Sequence, residues 1–434
     1  MTGPADGRSS IRVVILGFGV VGSGVVRALT ERPETYTGRV GLPIEVAKVL
    51  VRDVKRDRGV ELPPGVLTAD PEEALAADAD IVIELMGGET PAHEYIQRAV
   101  KQGSYVVTGN KEVMAKHGAE LLAAATEAGV DILFEASVGG GIPIISPLKR
   151  DLSANEITSL RAIINGTTNY ILTRMSREGA PFEDALKQAQ DLGYAEADPT
   201  SDIEGHDAVF KLAILASLAF HTTVRPADVY REGITRLTPR DFQYAHDLGY
   251  SIKLLAIARR EAAGVEARVH PTLIPADELL ANVDGVLNAV QVEGDLIGRV
   301  LFQGAGAGSL PTTSAVMADV LDAARAIVLG GKPSPWRYTA DMAIVPVADL
   351  LSRYYIRLEV PDRPGVLAVI ARSFGDNGVS IASVIQEEIP DTADTAELVI
   401  MTHTAKESAV NASIQHIENV DEVTEVGNVL RVED

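Results

Sequence analysis

Ile11-Arg12-Val13-Val14-Ile15-Leu16-Gly17-Phe18-Gly19-Val20-Val21-Gly22 falls into two halves. The first six residues are almost continuously apolar, the pattern of a strand covered on both faces. The second half has the spacing GxGxxG and opens onto helix-forming residues, Val25–Thr30. After a buried strand that spacing has a physical meaning. The first glycine makes a tight turn, the second lets a pyrophosphate reach the backbone, and the third packs helix on strand. The helix N-terminus then offers amide donors and partial positive charge. The stretch predicts the first βαβ unit of a dinucleotide-binding domain, with Gly17, Phe18, Gly19, Val20, Val21 and Gly22 at the cofactor. A glycine turn without a ligand is the alternative.

Downstream, apolar runs at Ile44–Val51, Ala79–Leu85, Ser104–Thr108 and Asp131–Phe134 alternate with helical stretches such as Ala119–Ala128. That alternation is the pattern of a doubly wound, Rossmann-type parallel sheet over residues 9–138. The end of the second run selects the nicotinamide. A carboxylate there holds a ribose 2′-hydroxyl, whereas an arginine accepts a 2′-phosphate. Arg52 takes that position, with Asp53 beside it and Lys55, Arg56 and Arg58 following. NADP(H) is therefore favoured, NAD(H) is an alternative, and a solvated basic turn is the bland reading. The Ser104–Thr108 run leads into Gly109-Asn110-Lys111, which places Lys111 at the carboxyl end of the sheet, where ligands bind.

From Gly139 to Gly330 the pattern changes to an α+β domain. Strands are expected at Leu160–Asn165, Val269–Ile274, Leu287–Val292 and Gly298–Phe302, and helices at Phe182–Leu192 and His206–Phe220. A helix over 312–328 ends this region or returns to the first domain. Gly330–Pro335 (GGKPSP) opens a linker over 331–352. Residues 353–434 then read βαββαβ, a small self-contained module.

Composition narrows the function classes. The chain has 434 residues, no cysteine and a formal charge of −22. The missing cysteines remove disulfides, thiolate metal sites and a cysteine nucleophile. The charge disfavours nucleic acid or an anionic membrane as partner. No apolar run reaches the roughly 18–20 residues of a membrane span. The opening MTGPADGRSS lacks the features of a secretory signal, so a cytoplasmic protein is expected. Histidines 93, 117, 206, 221, 246 and 270 are scattered without ligand spacing, and no transition metal is expected.

The densest chemical signal is Leu192–Lys211, LGYAEADPTSDIEGHDAVFK. Asp207 and Lys211 are four residues apart and share one helix face. An exposed pair of this kind is worth only about 0.3–0.5 kcal/mol. Here Ala208, Val209, Phe210 and the Leu212–Leu215 run leave almost no solvent face, so the pair is buried or lines a cavity. Glu196 and Asp202 add carboxylates around one lysine, which suits a substrate carrying an ammonium group. Separately, Glu135–Ile142 offers one carboxylate and many free carbonyls, hard ligands for a group I or II cation. A glycine loop that gives a substrate room is the competing account.

These residues resemble the homoserine dehydrogenases. The likeness spans the first 330 residues and rests on GFGVVG, on Thr108–Lys111 (TGNK), on EASVGGGIPI from Glu135 and NGTTNYIL from Asn165, and above all on Leu192–Lys211. The resemblance implies NAD(P)H-dependent interconversion of L-aspartate 4-semialdehyde and L-homoserine, in threonine, methionine and isoleucine biosynthesis. It implies Lys211 as acid/base, with Lys111 polarising the same oxygen. Glu196, Asp207 and Asp202 line the substrate pocket, with Tyr194 and Thr167 beside it. Gly193, Lys111 and a glycine of the Gly304–Gly308 loop, Gly304 or Gly306, lie near the cofactor. A structural sodium ion is implied at Glu135, Val138, Gly140 and Ile142.

The C-terminal module, with Asp362-Arg363-Pro364-Gly365 and Asn377-Gly378, resembles an ACT domain. That likeness implies feedback sensing, of threonine, in a homodimer or homotetramer; a dimerisation module without a ligand is the alternative. With no kinase segment ahead of the dehydrogenase, a monofunctional enzyme is expected. A chain ending near Ala348 is expected to keep turnover. The rival readings are a dehydrogenase of another small amino or keto acid, and a non-catalytic amino-acid sensor.

Overall fold

A computed structural model describes residues 8–330, 336, 338–388 and 394–433. The first seven residues of the lead-in and the Gly331–Pro335 part of the expected linker lie outside the described residues. The chain forms two compact units, one of residues 1–158, 210–226 and 288–342, the other of 159–209, 227–287 and 343–434.

In the first unit the strands are β1 (Ile11–Leu16), β2 (Ile44–Leu50), β3 (Leu67–Thr68), β4 (Ile81–Glu84), β5 (Tyr105–Thr108) and β6 (Ile132–Leu133). They form a sheet in the order β3-β2-β1-β4-β5-β6, and every pairing is parallel. This is the doubly wound arrangement, with its order reversing at β1, where the glycine turn emerges. Five of the six residues of β1 are fully buried, as their unbroken apolar run requires. Helix Ser309–Val328 packs on helix Val20–Glu31, so closely that a Cβ on Gly24 would collide with the Thr313 side chain.

In the second unit β7 (Ile157–Ile163) lies antiparallel to β9 (Tyr250–Glu261), which forms a long hairpin with β10 (Gly264–Pro275). The short β8 (Tyr230–Arg231) pairs with β10 in parallel. Strand β7 ends two residues earlier than the sequence predicts. The reason is Asn165, whose side chain caps the next helix, Gly166–Glu178. Strands β11 (Leu287–Gly294) and β12 (Gly298–Ala305), which belong to the first unit but for Leu287, match the remaining expected strands.

The C-terminal strands are β13 (Leu351–Pro361), β14 (Ile381–Glu388), β15 (Thr395–Thr402), the short β16 (Ala405–Lys406) and β17 (Glu425–Val432). Their order β17-β13-β15-β14, with helices Val366–Asp376 and Glu407–Ile417, is the βαββαβ module. Its core is built on Ile356, Leu358, Ile370, Phe374, Leu398 and Ile417.

The module is not separate from the sheet before it. Strand β17 pairs in parallel with β10 through Thr272↔Arg431 and Leu273↔Val432. Around that seam lie ion pairs that are buried except at Arg259, which is part-exposed. Arg268 pairs with Glu433 and Glu266, and Arg259 pairs with Glu433. Arg431 holds Glu407 by two bonds of 2.8 and 2.5 Å. A second buried cluster centres on Asp241, which accepts from Arg357 at 2.8 Å and from Asn428 at 2.6 Å. Among the described residues no helix is long and apolar enough to cross a membrane.

Candidate active site

The glycine turn shows why each of its three glycines is needed. Gly17 has φ +104°, and a Cβ there would stand 2.7 Å from the Leu85 carbonyl oxygen. A Cβ on Gly22 would run into the Gly17 carbonyl, so helix and turn could not close. At Gly19 a Cβ would meet nothing, which leaves open space at the first turn of helix Val20–Glu31. Close packing at two glycines and room at the third is the geometry a dinucleotide pyrophosphate requires. Val20 is exposed at this turn, and Gly22 is buried.

Beyond β2, Arg52 is exposed in a turn where Asp53 accepts from the Lys55 amide at 2.8 Å. Arg58 is the arginine that reaches the glycine turn. Its Nε donates to the Phe18 carbonyl at 3.0 Å, and the guanidinium lies 5.4 Å from the Phe18 ring centre.

Lys111 is the first residue of helix Lys111–Ala128, and a buried network sets its position. Thr108 Oγ1 donates to Glu84 Oε2 at 2.6 Å, and the Asn110 amide donates to Thr108 Oγ1 at 3.0 Å. The Asn110 side chain caps Val113 and donates to the Gly88 carbonyl at 2.7 Å. Burial pushes the Glu84 carboxyl up, and hydrogen bonds led by that from Thr108 oppose the push. Lys211 is half-buried on helix His206–Phe220, whose Phe210 ring lies 5.7 Å from Lys116 Nζ.

In the second unit Asn165 organises the carboxylates. Its Nδ2 donates to Asp202 Oδ1 at 2.7 Å and to Asp207 Oδ2 at 2.9 Å. Its Oδ1 accepts from the Thr168 amide at 2.8 Å. One amide thus caps a helix and draws two carboxylates together, and Asp207 is only 2 % exposed. Thr167 Oγ1 donates to the Tyr194 carbonyl at 2.7 Å, while the Tyr194 ring stays partly exposed beside Tyr170. Glu196 and Gly193 lie on the exposed loop; the Glu196 carbonyl accepts from Gln190, and its carboxylate is not part of the Asn165 network. The arrangement presents acidic oxygens to an ammonium group on a rigid, buried base.

The Glu135–Ile142 loop opens with a short 3-10 helix, Glu135–Ser137. Both oxygens of Glu135 are engaged. They accept from the amides of Ile144 (2.6 Å), Ile145 (2.8 Å) and Ser146 (2.7 Å), at the start of helix Ile145–Lys149. A cation at this loop is therefore left with backbone carbonyls, a hard-oxygen set suited to sodium. Gly140 abuts the Gly306 carbonyl, and the Gly141 amide donates to the Ala305 carbonyl at 3.0 Å. Gly304 faces Ile142, and Gly306 lies against Asn288. Asn288 is 1 % exposed, and neither polar atom of its amide finds a partner among the described residues. An orphaned amide at this loop fits a bound group that would satisfy it.

Sequence reasoning gave no role to Asn165, Asn110, Glu84, Arg58 or Asn288. Two of these carried a signal. Asn110 and Asn165 each stand three residues before the helical amide they bond, the usual N-cap pattern.

A family model described as homoserine dehydrogenase matches residues 143–321, and its NAD-binding domain matches 17–135. An ACT domain model matches residues 354–422. The homoserine dehydrogenase of Mycobacterium tuberculosis is 45 % identical over 440 residues, covering 99 % of each chain. The crystal structure of a homoserine dehydrogenase from Thiobacillus denitrificans superposes with a TM-score of 0.92 at 45 % identity, over 98 % of each chain. A hyperthermophilic archaeal homoserine dehydrogenase in complex with NADPH is more distant. It has a TM-score of 0.61 at 28 % identity and covers 72 % of this chain and 97 % of its own.

Proposed function

Since the chain belongs to the homoserine dehydrogenase family, we propose that it reduces L-aspartate 4-semialdehyde to L-homoserine with NADPH, in the cytoplasm, under threonine control. The observation that carries the reading is the Asn165 amide holding Asp202 and Asp207 together one helical turn before Lys211.

The reaction needs an amino-acid ammonium fixed, a hydride delivered and an alkoxide protonated. Asp207, Asp202 and Glu196 accept from the substrate ammonium, with Tyr194 and Thr167 alongside. Lys211, as ammonium, stabilises the oxyanion that develops on the aldehyde oxygen and gives it a proton; as free amine it takes the hydroxyl proton in reverse. Lys111, held by Asn110 and Thr108, polarises the same oxygen. The nicotinamide cofactor supplies the hydride when bound. Gly17, Gly19 and Gly22 would hold its pyrophosphate, Gly193, Gly304 and Gly306 would lie near it, and Arg52 would donate to a 2′-phosphate. A structural sodium ion on the carbonyls of Glu135, Val138, Gly140 and Ile142 belongs to the same reading. So do the domain limits 9–138, 139–330 and 353–434, threonine at the ACT module, and a homodimer or homotetramer paired through the ACT edge strand β14.

A spectrophotometric assay of NADPH oxidation with aspartate semialdehyde tests the proposal. Lys211→Ala is expected to lower kcat by at least ~10²-fold with cofactor binding unchanged. Asn165→Ala is expected to raise KM as the two carboxylates separate. Near-normal turnover in Lys211→Ala would remove Lys211 from the chemistry.

A further inference from the structure

Two histidines that lie far apart in sequence meet in the first unit. His93 comes from helix Ala92–Lys101 and His117 from helix Lys111–Ala128, and their rings stack with centres 4.0 Å apart. Glu120, one turn beyond His117, completes a group whose ligand atoms all lie within 4.8 Å of one another. We propose that His93 Nε2, His117 Nδ1 and the Glu120 carboxylate form a binding site for a divalent first-row transition cation such as Zn²⁺, which clamps the two helices together.

The distances suit such an ion. His93 Nε2 stands 2.6 Å from Glu120 Oε1, and His117 Nδ1 stands 3.8 Å from the same oxygen. Ligands at about 2.0–2.1 Å from a tetrahedral zinc are about 3.3 Å apart. These two separations bracket that value and the two histidine nitrogens lie within 4.8 Å of one another, while the rings, 19° from parallel, turn about their side-chain bonds to bring both lone pairs onto one ion.

An independent contact fixes the orientation of His117. Its Nε2 lies 2.8 Å from Glu89 Oε1 on the loop after β4. A proton on Nε2 bonded to Glu89 leaves Nδ1 unprotonated, with its lone pair free for a metal and Glu120 3.8 Å away. This carboxylate–histidine pair is the outer partner that metal-bound histidines regularly carry. Two imidazoles with one carboxylate select zinc, nickel, cobalt or copper over magnesium or calcium, which demand more oxygens. The sequence hides the site because its ligands come from two helices, and only His117 and Glu120 share a face.

The test titrates Zn²⁺ into EDTA-treated full-length protein by calorimetry, with Co²⁺ as a spectroscopic probe. One equivalent is expected to bind, with a visible tetrahedral cobalt spectrum and a raised thermal midpoint. His93→Gln and His117→Gln should each weaken binding at least tenfold, and Glu89→Gln about tenfold or more. Turnover is expected to be unchanged in all three. If His117→Gln does not fold, Glu120→Gln carries the same test. Failure of the wild type to bind one equivalent at micromolar Zn²⁺ overturns the proposal. So does undiminished binding in the His93→Gln/His117→Gln double variant, since the ion would then sit on other histidines.

Discussion

Arg52 and Arg58 are six residues apart in one basic turn, and the structure separates their tasks. Arg58 is tied to the Phe18 carbonyl and so to the shape of the glycine turn, whereas Arg52 is exposed beyond β2. Arg52→Ala should weaken NADPH by about 1–3 kcal/mol, the range of a charge-assisted bond, and leave NADH almost unchanged. Arg58→Ala should weaken both cofactors together, because it loosens the cradle they share. Dissociation constants for the two cofactors measured on both variants check this, and equal losses in Arg52→Ala would make that residue structural. At this scale the sequence exposed whatever is charged or glycine: the GxGxxG spacing, the carboxylates of Leu192–Lys211 and the lysines were legible. The amides were not. Asn165 and Asn110 act through hydrogen bonds to residues 3 to 42 positions away, Asn288 is marked only by its buried amide, and asparagine has no charge to flag it.

Among the elements, the β10–β17 seam ties stability to pH. His270 is completely buried there, with Arg268 Nε 2.9 Å from its Nε2 and Thr272 Oγ1 3.0 Å from its Nδ1. Burial first, then the charges of Arg431, Arg268 and Arg259, push the imidazole well below its usual 6.5. The folded chain therefore binds this proton less readily than the unfolded chain. The stability from a neutral His270 is present above about 6.5 and is lost as pH falls from there toward the depressed folded value. The thermal midpoint should fall as pH is lowered from about 7 to about 5, and His270→Gln should flatten that slope whatever it does to the midpoint itself. Parallel slopes for both proteins would show that the acid sensitivity originates elsewhere. The strands of the seam were only partly legible. Val269–Ile274 reads as a strand from its residues, but its partner β9 was missed, since Tyr250–Glu261 carries Ser251, Lys253, Arg259 and Arg260 within its apolar pattern.

For the molecule, the module beginning at β13 had the clearest sequence signature and the least expected attachment. Its βαββαβ pattern is local in sequence and was readable element by element. The pairing of Leu273 with Val432 joins residues far apart in the sequence and leaves no local trace. A chain ending near Ala348, expected from sequence to keep turnover, would strip β10 of a neighbour and leave Arg268, 1 % exposed as a side chain, without Glu433. Removing one partner of a buried pair costs about 3–5 kcal/mol, a large part of a domain's stability. The truncated protein should be largely insoluble or melt well below full length, and any soluble fraction should have reduced turnover. Expression yield, thermal midpoint and steady-state assay of the two chains decide it. A soluble, fully active truncated enzyme would show that the seam is dispensable.

The same pairing orders events on the ribosome. Strand β10 leaves the exit tunnel long before β17 has been made, and an unpaired edge with buried-type charges attracts the wrong neighbours. Until translation passes Glu433, the nascent second unit has a half-finished sheet that only a later part of the same polypeptide can complete. A premature stop or a slow codon late in the message would thus injure a part of the protein encoded more than a hundred codons upstream, and a nascent chain stalled there would be a natural client for chaperones.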